Sequence, residues 1–439
     1  MKARSGFILL YFLYPLLMIG SIVFSPTAQM MSGTRIAGLI LGILAYCMMC
    51  AQILLAARIP WLDRAFGLDR LIRFHGMAAL LAFLFALAHP FVIHGLRLFK
   101  FLGRFGEDAL LLYFLTILLA VFFLTTLISG RVRWAGAMRR SLGRNPLFRY
   151  RFQLALHNLT ALAVLLMFLH VVFRFRGFGS NMPFTVLAVV LFAAAAGAYL
   201  WHAFLRRGYR YTISKVVHEN PAMTTLWLQP EGKEMAHKAG QFAYFKIEDE
   251  AVSGEPHPFS ISSAPGDPLT VTIRDLGDWT HEIKNVKAGS EVRIDGPYGK
   301  FTPEAGTAPI ILIAGGVGIT PMMGIVKEEK KRDEGRPVVL FWCAKNHDEL
   351  IRLSEWEALE ESMPSFTFCP ILSREKESGY ETGHFSSEIF ERVLHREEIP
   401  VQQAEVYYCG PEPLRKTVHT VLAGEGIPES RIHEERFSL

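Results

Sequence analysis

The sequence predicts a multidomain protein with an all-α six-helix transmembrane bundle, then an antiparallel β-barrel domain, then an α/β domain built on a parallel sheet. Three observations predict this order. Six long uncharged stretches fall in the first half of the chain, and short alternating strands separated by Gly and Pro follow them. A buried apolar strand then runs into a glycine-rich turn and a helix. We place the three domains at residues 1–207, 208–304 and 305–439.

The charge distribution separates a membrane half from a soluble half. Residues 1–207 contain 21 Lys and Arg but only four acids, whereas the remainder contains 25 basic and 37 acidic residues. The net charge is therefore about +17 on the first part and about −12 on the second. Each uncharged stretch reaches about 20 residues, the length that a helix needs to cross a bilayer. The six stretches are residues 5–34, 36–57, 74–96, 109–130, 152–173 and 177–205.

Two apolar runs need separate interpretation. The first stretch follows a short basic start, as a signal peptide does, but it is longer than a usual signal core and Pro15 interrupts it. We therefore interpret it as a retained helix. A seventh uncharged run, 305–326, holds five glycines and two prolines, too many for a spanning helix. We interpret this run as a strand, a glycine turn and the start of a helix.

Basic residues predict the orientation of the bundle. Arginines cluster in segments 58–73 and 131–151 and directly after residue 205, whereas the opposite loops hold fewer. This bias predicts a multi-pass protein of the plasma or inner membrane with both termini and the soluble domains in the cytoplasm. The five cysteines show no secreted disulfide pattern, and Cys47 and Cys50 are interpreted as small buried helix residues.

Four histidines lie in two of the predicted membrane helices. His75 and His89 are on the third helix, and His157 and His170 are on the fifth. Ionisable residues at this depth are costly and mark function, the alternative being a hydrogen bond between helices. Haem iron with two imidazole ligands takes one from each side of the porphyrin. Because the two helices run in the same direction, we predict two b-type haems, held by the pairs His75–His157 and His89–His170.

The two histidine spacings differ by one residue. Fourteen residues separate the histidines of the third helix and thirteen those of the fifth, which is roughly 20 Å along either helix. Thirteen residues fall short of a whole number of turns, so either the fifth helix is locally unwound or the two haem planes are rotated. Arg73 and Arg151 beside the inner pair are either propionate partners or positive-inside residues. His94 and His202 are interpreted as structural.

The residues that follow Gly208 predict a small antiparallel barrel. Alternating runs at 211–217, 224–228 and 270–274 have the regular spacing of such a fold. An aromatic ring beside hydroxyls and a cation suits a flavin ring and its pyrophosphate. The candidate residues for this role are Phe259, Ser260, Ser263 and Arg274.

A parallel nucleotide-binding sheet is predicted from residue 310 onward. The run 310–314 is a buried strand that enters the glycine turn 315–318, and Pro321 opens the helix behind it. Backbone N–H groups at such a helix start form an anion site. Later strands alternate with helical stretches, as a nucleotide-binding fold requires. They are predicted at 338–343, 365–372 and 405–409.

In this order the motifs resemble those of a known family. The soluble half resembles the ferredoxin–NADP reductase superfamily, and the whole chain resembles the ferric reductase-like transmembrane family that includes the NADPH oxidases. The histidine spacing is also the haem signature of that family. The resemblance implies that one segment cradles the FAD ring, formed by His257, Pro258, Phe259, Ser260 and Ser263. Two further FAD elements of the family correspond to Arg274, Gly277, Trp279 and Thr280.

The resemblance also implies a nicotinamide nucleotide site. The glycine loop of the family corresponds to Gly315, Gly316, Gly318, Thr320 and Pro321. The motif beside the nicotinamide corresponds to Cys409, Gly410, Pro411 and Glu412, and the C-terminal aromatic that covers the flavin corresponds to Phe437. Cys409 and Phe437 are the candidate catalytic residues. Ser373, Arg374 and Tyr380 resemble the site for the adenosine 2′-phosphate, which favours NADPH over NADH, the alternative being a surface Ser–Arg pair.

Together these features predict electron transfer from cytoplasmic NADPH through FAD and two b-type haems to an acceptor on the outer side. Oxygen is the favoured acceptor, as in a superoxide-generating NADPH oxidase. Oxidases of the animal type have a further histidine one turn beyond the outer ligand, where this chain has Ile93. A ferric chelate, attracted by cationic outer loops, and a periplasmic redox partner are the alternatives. The rival class is a haem-free membrane-anchored flavin reductase.

The expected partners are membrane lipid and a small-molecule acceptor, oxygen or a ferric chelate. We expect no nucleic acid as a partner. The sequence has no calcium-binding loop and no proline segment of the SH3 type, so no obligatory activating protein is expected.

Overall fold

The computed structural model describes residues 2–94, 108, 110–115, 156–176, 181–205, 208–252 and 254–435. The chain divides into two compact units, Met1–Arg206 and Arg207–Leu439. The first unit is helical, and the second contains two six-stranded sheets.

Helices make up the described part of the first unit. Five of them are long and apolar enough to cross a membrane, and they cover Arg4–Val23, Gly33–Ala56, Arg70–Ile93, Leu156–Phe173 and Met182–Phe204. The fourth predicted helix, 109–130, lies mostly outside the described residues, although 110–115 are helical. The helices are α1 (Lys2–Val23), α2 (Pro26–Gln29), α3 (Gly33–Ala56), α4 (Pro60–Phe66), α5 (Leu68–His94), α6 (Thr160–Arg176) and α7 (Met182–Leu200), and a π-helical turn, Trp201–Leu205, follows α7.

The ends of these helices follow from local sequence. The Ser32 side chain accepts a hydrogen bond from the Arg35 backbone N–H and caps α3, and Asn181 caps α7 through the Phe184 N–H. Pro15 lies inside α1 and Pro90 lies inside α5. A proline is tolerated inside a membrane helix when neighbouring helices satisfy the backbone carbonyl that the proline leaves without a hydrogen bond.

Apolar side chains cover both the inside and the outside of this unit. Leu9 is 62% exposed and Phe12 is 64% exposed, as lipid-facing residues of a spanning helix are. The buried polar contacts join helices to one another: Tyr14 and Tyr46 donate their hydroxyls to the carbonyls of Leu187 and Ala188, both at 2.7 Å. These bonds tie α1 and α3 to α7.

The first sheet of the second unit is antiparallel. Its strand order is β4-β3-β6-β1-β2-β5, and a single bridge between Ile261 and Val271 joins the two edges. Alternate side chains of its strands fill one core, which includes Phe245, Ile273 and Ile294. The strands are β1 (Tyr209–Asn220), β2 (Met223–Pro230), β3 (Phe242–Glu248), β4 (Pro256–Ser260), β5 (Leu269–Arg274) and β6 (Glu291–Tyr298), and a short helix α8 (Asp278–Glu282) follows β5.

The second sheet is parallel, with the order β10-β9-β8-β7-β11-β12. Its central strand β7 is buried on both faces, because helices cover the sheet from either side and form two apolar cores. The strands are β7 (Ile310–Gly315), β8 (Val338–Ala344), β9 (Phe366–Leu372), β10 (Glu381–Thr382), β11 (Glu405–Cys409) and β12 (Ile432–Glu435). The helices are α9 (Ile319–Arg332), α10 (Leu353–Ser362), α11 (Ser387–Arg396) and α12 (Glu412–Gly424).

The apolar run 305–326 forms a strand, a turn and a helix, as the sequence predicts. The helix α9 begins at Ile319, two residues earlier than expected, so Pro321 is its third residue rather than its first. A proline is tolerated there because the first four N–H groups of a helix have no partner within the helix.

Candidate functional site

The four membrane histidines form two pairs. The ring centres of His75 and His157 are 6.1 Å apart, and those of His89 and His170 are 6.4 Å apart. The two rings of each pair are nearly perpendicular, at 82° and 85°. The structure thus brings together the first histidines of each helix and the second histidines of each helix, at two levels of the same bundle.

The pair distances fit a metal bound between two imidazoles. Two metal–nitrogen bonds of about 2 Å, added to the offset of each nitrogen from its ring centre, place the ring centres about 6 Å apart. Nδ1 of His75 and Nδ1 of His157 are buried, and neither has a hydrogen-bond partner within the part of the chain that the structure describes. Two facing imidazoles at this distance are a ligand set that haem iron takes, so the residues of each pair fit a haem.

The helix that carries His157 and His170 is interrupted between them. Residues 156–158 are helical, residue 159 is a turn, and α6 begins at Thr160. The Thr160 hydroxyl donates to the carbonyl of His157 at 2.7 Å. A local irregularity therefore accompanies the thirteen-residue spacing, which is the first of the two alternatives that the sequence leaves open.

Three aromatic rings form a stack in the antiparallel sheet domain. The ring of Trp279, from α8, lies 4.2 Å from that of His257 and 5.6 Å from that of Phe259, with interplanar angles of 30° and 22°. The Ser260 hydroxyl next to them is buried and has no partner among the described residues. A planar stack beside an unused hydroxyl suits an isoalloxazine ring, whose edge carries hydrogen-bonding atoms.

The loop before α8 is held by Thr280. Its hydroxyl oxygen accepts hydrogen bonds from the N–H groups of Leu276 and Gly277, both at 2.9 Å. Ser263 is also committed, because its hydroxyl accepts from the Thr270 N–H at 3.1 Å. These two residues therefore shape the backbone around the stack, and Pro258 continues β4 between His257 and Phe259.

Burial keeps the His257 ring neutral. It lowers the pKa of His257 from 6.5 to about 4, and the carboxylate of Glu255, 3.6 Å from Nε2, does not reverse this. A histidine that is neutral when folded and charged when unfolded stabilises the protein fully above pH 6.5 and loses that contribution as the pH falls towards 4.

The replacement His257→Gln is therefore expected to flatten the acid side of the stability curve. At pH 5 the wild-type protein loses about 2 kcal/mol of its free energy of unfolding through this group, and the variant does not. Flavin fluorescence during thermal unfolding at several pH values measures this difference. The exposed His384, replaced in the same way, is the control, and an unchanged slope in His257→Gln would contradict the assignment.

Arg274 lies between the two domains of the second unit. One Nη atom is 3.3 Å from the Glu349 carboxylate, and the other is 2.7 Å from the point that a Cβ on Gly316 would occupy. The guanidinium therefore reaches from the flavin domain to two points of the nucleotide domain, Glu349 and the glycine turn. Sequence reasoning missed Glu349, which ends a short 3-10 helix after β8 that matches no motif.

The glycine turn is packed so closely that side chains are excluded. A Cβ on Gly318 would lie 2.0 Å from the Cys409 carbonyl oxygen, and one on Gly315 would lie 2.6 Å from Pro411. Six residues after Gly318, a Cβ on Gly324 would lie 2.8 Å from the carbonyl oxygen of Ser263, in the flavin domain. Backbone-to-backbone contact thus sets the positions of β7, β11 and α9.

The predicted nucleotide residues share one edge of the parallel sheet. Strands β7 and β11 are neighbours, so Gly315, Gly316, Gly318, Thr320 and Pro321 face the segment Cys409, Gly410, Pro411 and Glu412. Strand β9 is separated from β7 by β8, and the residues that follow β9 lie further along the same edge: Ser373, Arg374 and Tyr380. Nucleotides bind at this carboxyl edge in open α/β sheets.

Side-chain chemistry differs among these residues. Cys409 is fully buried, and burial raises the pKa of its thiol well above the ordinary value, so its side chain is a protonated packing group. Thr320 donates its hydroxyl to the Val317 carbonyl at 3.0 Å. Arg374 is exposed, and the Tyr380 ring lies 5.8 Å from that of His347. Phe437 lies outside the described residues.

Two glycines of α3 were missed in the sequence. Gly38 accepts a hydrogen bond from Nδ1 of His89 at 2.7 Å, and a Cβ on Gly42 would lie 2.7 Å from the same nitrogen. The available signal was Gly-x-x-x-Gly within an apolar helix, which is typical of close helix packing in membranes.

Comparison with known proteins finds matches for three segments of the chain. Three family models match in order: "Ferric reductase like transmembrane component" at residues 41–168, "FAD-binding domain" at 210–302 and "Oxidoreductase NAD-binding domain" at 312–420. The chain therefore contains a segment similar to the ferric reductase transmembrane component, followed by one similar to FAD-binding domains and one similar to oxidoreductase NAD-binding domains. These matches confirm the resemblance that the sequence motifs predict.

Individual relatives resemble the soluble half. The flavohemoprotein of Bacillus anthracis is 29% identical over 246 residues, which are 52% of this chain and 60% of the relative. The glycine betaine monooxygenase reductase subunit of Chromohalobacter salexigens is 29% identical over 210 residues, 46% of this chain and 56% of the relative. The chain thus spans about 60% of the length of these relatives. A solved FAD/NAD-binding domain of a Vibrio cholerae nitric oxide dioxygenase covers 53% of this chain and 99% of its own, with 22% identity and a TM-score of 0.47.

Proposed function

We propose that this protein carries electrons across a membrane, from cytoplasmic NADPH to oxygen on the outer side. The observation that carries the proposal is the pair of histidine pairs, 6.1 Å and 6.4 Å between ring centres, on helices of a bundle that is joined to a flavin and nucleotide module. A membrane anchor without a redox role has no need of four histidines at membrane depth.

The chain's own residues divide the work. His75 with His157, and His89 with His170, would each hold one b-type haem, which supplies a one-electron redox centre when bound. The stack of His257, Phe259 and Trp279 would orient the FAD ring. FAD, when bound there, would supply the exchange between a two-electron hydride donor and one-electron acceptors.

The nucleotide side of the proposal depends on the glycine turn and the segment 409–412. The nicotinamide would bind beside this turn, and Arg274 reaches the turn from the flavin domain, with one Nη atom 2.7 Å from the Cβ position of Gly316. Direct hydride transfer needs no general base. The basic loops favour a plasma or inner membrane with this module in the cytoplasm. The proposal includes no obligatory activating protein.

The acceptor is the finer part of the proposal. Near the outer pair, Ile93 packs on Gly38, with its Cγ1 2.4 Å from the Cβ position of that glycine, so the surroundings are apolar. A small neutral molecule such as oxygen suits them. A ferric chelate is the second candidate, and the cationic residues that favour it belong to the outer loops that the sequence predicts: Arg97, Lys100, Arg104, Arg174 and Arg176.

An absorption spectrum of the detergent-purified protein tests the proposal. We expect the bands of two b-type haems per chain, reduced by NADPH under argon and reoxidised when air or a ferric chelate is admitted. The faster of the two acceptors separates an oxidase from a ferric reductase. Folded, flavin-loaded protein without haem bands would leave a membrane-anchored flavin reductase.

The replacement Arg374→Ala is expected to weaken NADPH binding selectively. A charge-assisted hydrogen bond to a phosphate contributes about 1.5 to 3 kcal/mol, so KM for NADPH should rise roughly 10- to 100-fold while KM for NADH hardly changes. Steady-state kinetics with both donors measures the ratio. Arg392→Ala, another exposed arginine of this domain that pairs with Glu381, is the matched control. Equal rises for both donors would contradict a role in phosphate recognition.

A further inference from the structure

Helix α3 contacts the ring of His89 at two glycines, Gly38 and Gly42. We infer that Gly38 and Gly42 of α3 are the positioning residues of the outer haem ligand: Gly38 orients the imidazole and Gly42 provides the space for it. This inference rests on the proposed function, because it assigns a role towards the outer haem.

The hydrogen bond to Gly38 fixes the state of the ring. Nδ1 of His89 donates to the Gly38 carbonyl oxygen at 2.7 Å, which leaves the other ring nitrogen, Nε2, as the one with a free electron pair. Metal-bound imidazoles generally donate their second N–H to a carbonyl or carboxylate, which fixes the orientation and raises the basicity of the ligand. The 6.4 Å between the rings of His89 and His170 agrees with a metal between them.

Gly42 lies where any side chain would collide with that ring. A Cβ built on Gly42 would be 2.7 Å from Nδ1 and 2.8 Å from Cε1 of His89. Both distances are shorter than non-bonded contacts allow, so a side chain at this position must displace the imidazole or separate the two helices. Gly38 and Gly42 are four residues apart and therefore on the same face of α3, one above the other.

The surroundings of His75, the inner histidine of α5, differ from those of His89, the outer one. α3 and α5 run antiparallel. Gln52 lies fourteen residues after Gly38 in α3, and His75 lies fourteen residues before His89 in α5. The backbone of Gln52 accordingly approaches the ring of His75. That approach stops short of hydrogen-bond geometry at Nδ1 of His75, which has no partner among the described residues. Of the two histidines of α5, it is therefore His89 that combines a carbonyl acceptor with a glycine close to its ring.

The variant Gly42→Ala tests the inference through spectroscopy rather than activity. Weakening the bond to Gly38 lowers the basicity of His89, so the ferric state of one haem loses stability and its midpoint potential rises, while the other potential stays unchanged. Where the displaced ring no longer reaches the iron, haem content falls from two to one per chain. Redox titration, a pyridine haemochromogen assay and low-spin EPR signals of the purified full chain give these readouts.

Gly197→Ala is the matched control. Gly197 lies in α7, another apolar helix of the same unit, and a Cβ there meets nothing within 4 Å. Both haems of this variant should keep the wild-type potentials. Unchanged potentials and EPR signals in Gly42→Ala, or an equal disturbance of both haems, would overturn the inference.

A double variant tests the inference if the Gly42→Ala protein is not obtained in folded form. His89→Ala removes the ring with which the new methyl group collides, so His89→Ala/Gly42→Ala should accumulate as well as His89→Ala alone, with the same one-haem spectrum. If the double variant is also not obtained in folded form, Gly42 is needed for the packing of the helix backbones, and its role in positioning the ligand is refuted. Wild-type protein with fewer than two haems would instead refute the proposed function, before any variant is made.

Discussion

Replacement of His75 by alanine is expected to stop electron transfer across the membrane while the soluble unit still oxidises NADPH with an artificial dye. The ring of His75 lies 6.1 Å from that of His157, and its removal leaves the inner site with one ligand. Loss of a second-shell partner alone costs 10- to 100-fold in affinity or activity, so loss of a ligand should lower the acceptor-side rate by more than about 100-fold. Proteoliposomes with NADPH on one side and an acceptor on the other measure that rate.

The control for this variant is His202→Ala. His202 lies in the π-helical turn after α7 and has no assigned ligand role, so the variant should keep two haems and most of the transfer rate. The soluble dye assay shows whether the reductase module of each variant is intact. Wild-type rates in His75→Ala, with the dye activity also intact, would contradict the proposed path.

The replacement Gly318→Ala is expected to abolish NADPH oxidation with every acceptor, including dyes. The added methyl group would lie 2.0 Å from the Cys409 carbonyl oxygen and 2.6 Å from its carbon, so the turn and the end of β11 must move apart. Both elements are backbone, and neither can rotate away as a flexible side chain can. Misplacement by about 1 Å can reduce a reaction rate about 100-fold, and we expect at least that loss in kcat/KM for NADPH.

Flavin content and a matched variant separate this effect from unfolding. Gly318→Ala should keep its FAD, because the aromatic stack belongs to the other domain of the unit. Gly424→Ala lies at the end of α12 in the nucleotide domain, where a Cβ meets nothing within 4 Å, and should behave as wild type. A normal rate in Gly318→Ala would show that the turn does not hold the nucleotide.

Much of the soluble fold was predictable because its strands have clear patterns. The run 310–314 is continuous and apolar since β7 is buried on both faces, and the structure places a strand there. The expected strands 338–343 and 405–409 correspond to β8 and β11, with differences of at most one residue. Strand β1 extends three residues beyond the expected 211–217 at its far end, because its outer part pairs with β2 across a bulge.

Features that depend on particular contacts rather than on a sequence pattern were not predictable in the same way. The spacing of His157 and His170 indicated an irregularity but did not locate it, since the interruption at residue 159 depends on local bonding such as that of Thr160. Gly42 has no property of its own that distinguishes it from Gly197, and only the neighbouring ring does so. Glu349 is likewise recognised only by its distance from Arg274.

The contact between Gly324 and Ser263 limits which properties of the protein amino-acid substitutions can change. The separation of the flavin and nucleotide domains at this point is set by main-chain atoms, with a Cβ position only 2.8 Å from a carbonyl oxygen. Residues that choose between donors, such as Arg374, lie on exposed segments away from that contact. Substitutions at such exposed positions can therefore change the preference for NADPH or NADH. The distance between the nucleotide site and the flavin site stays the same, because backbone contacts set it.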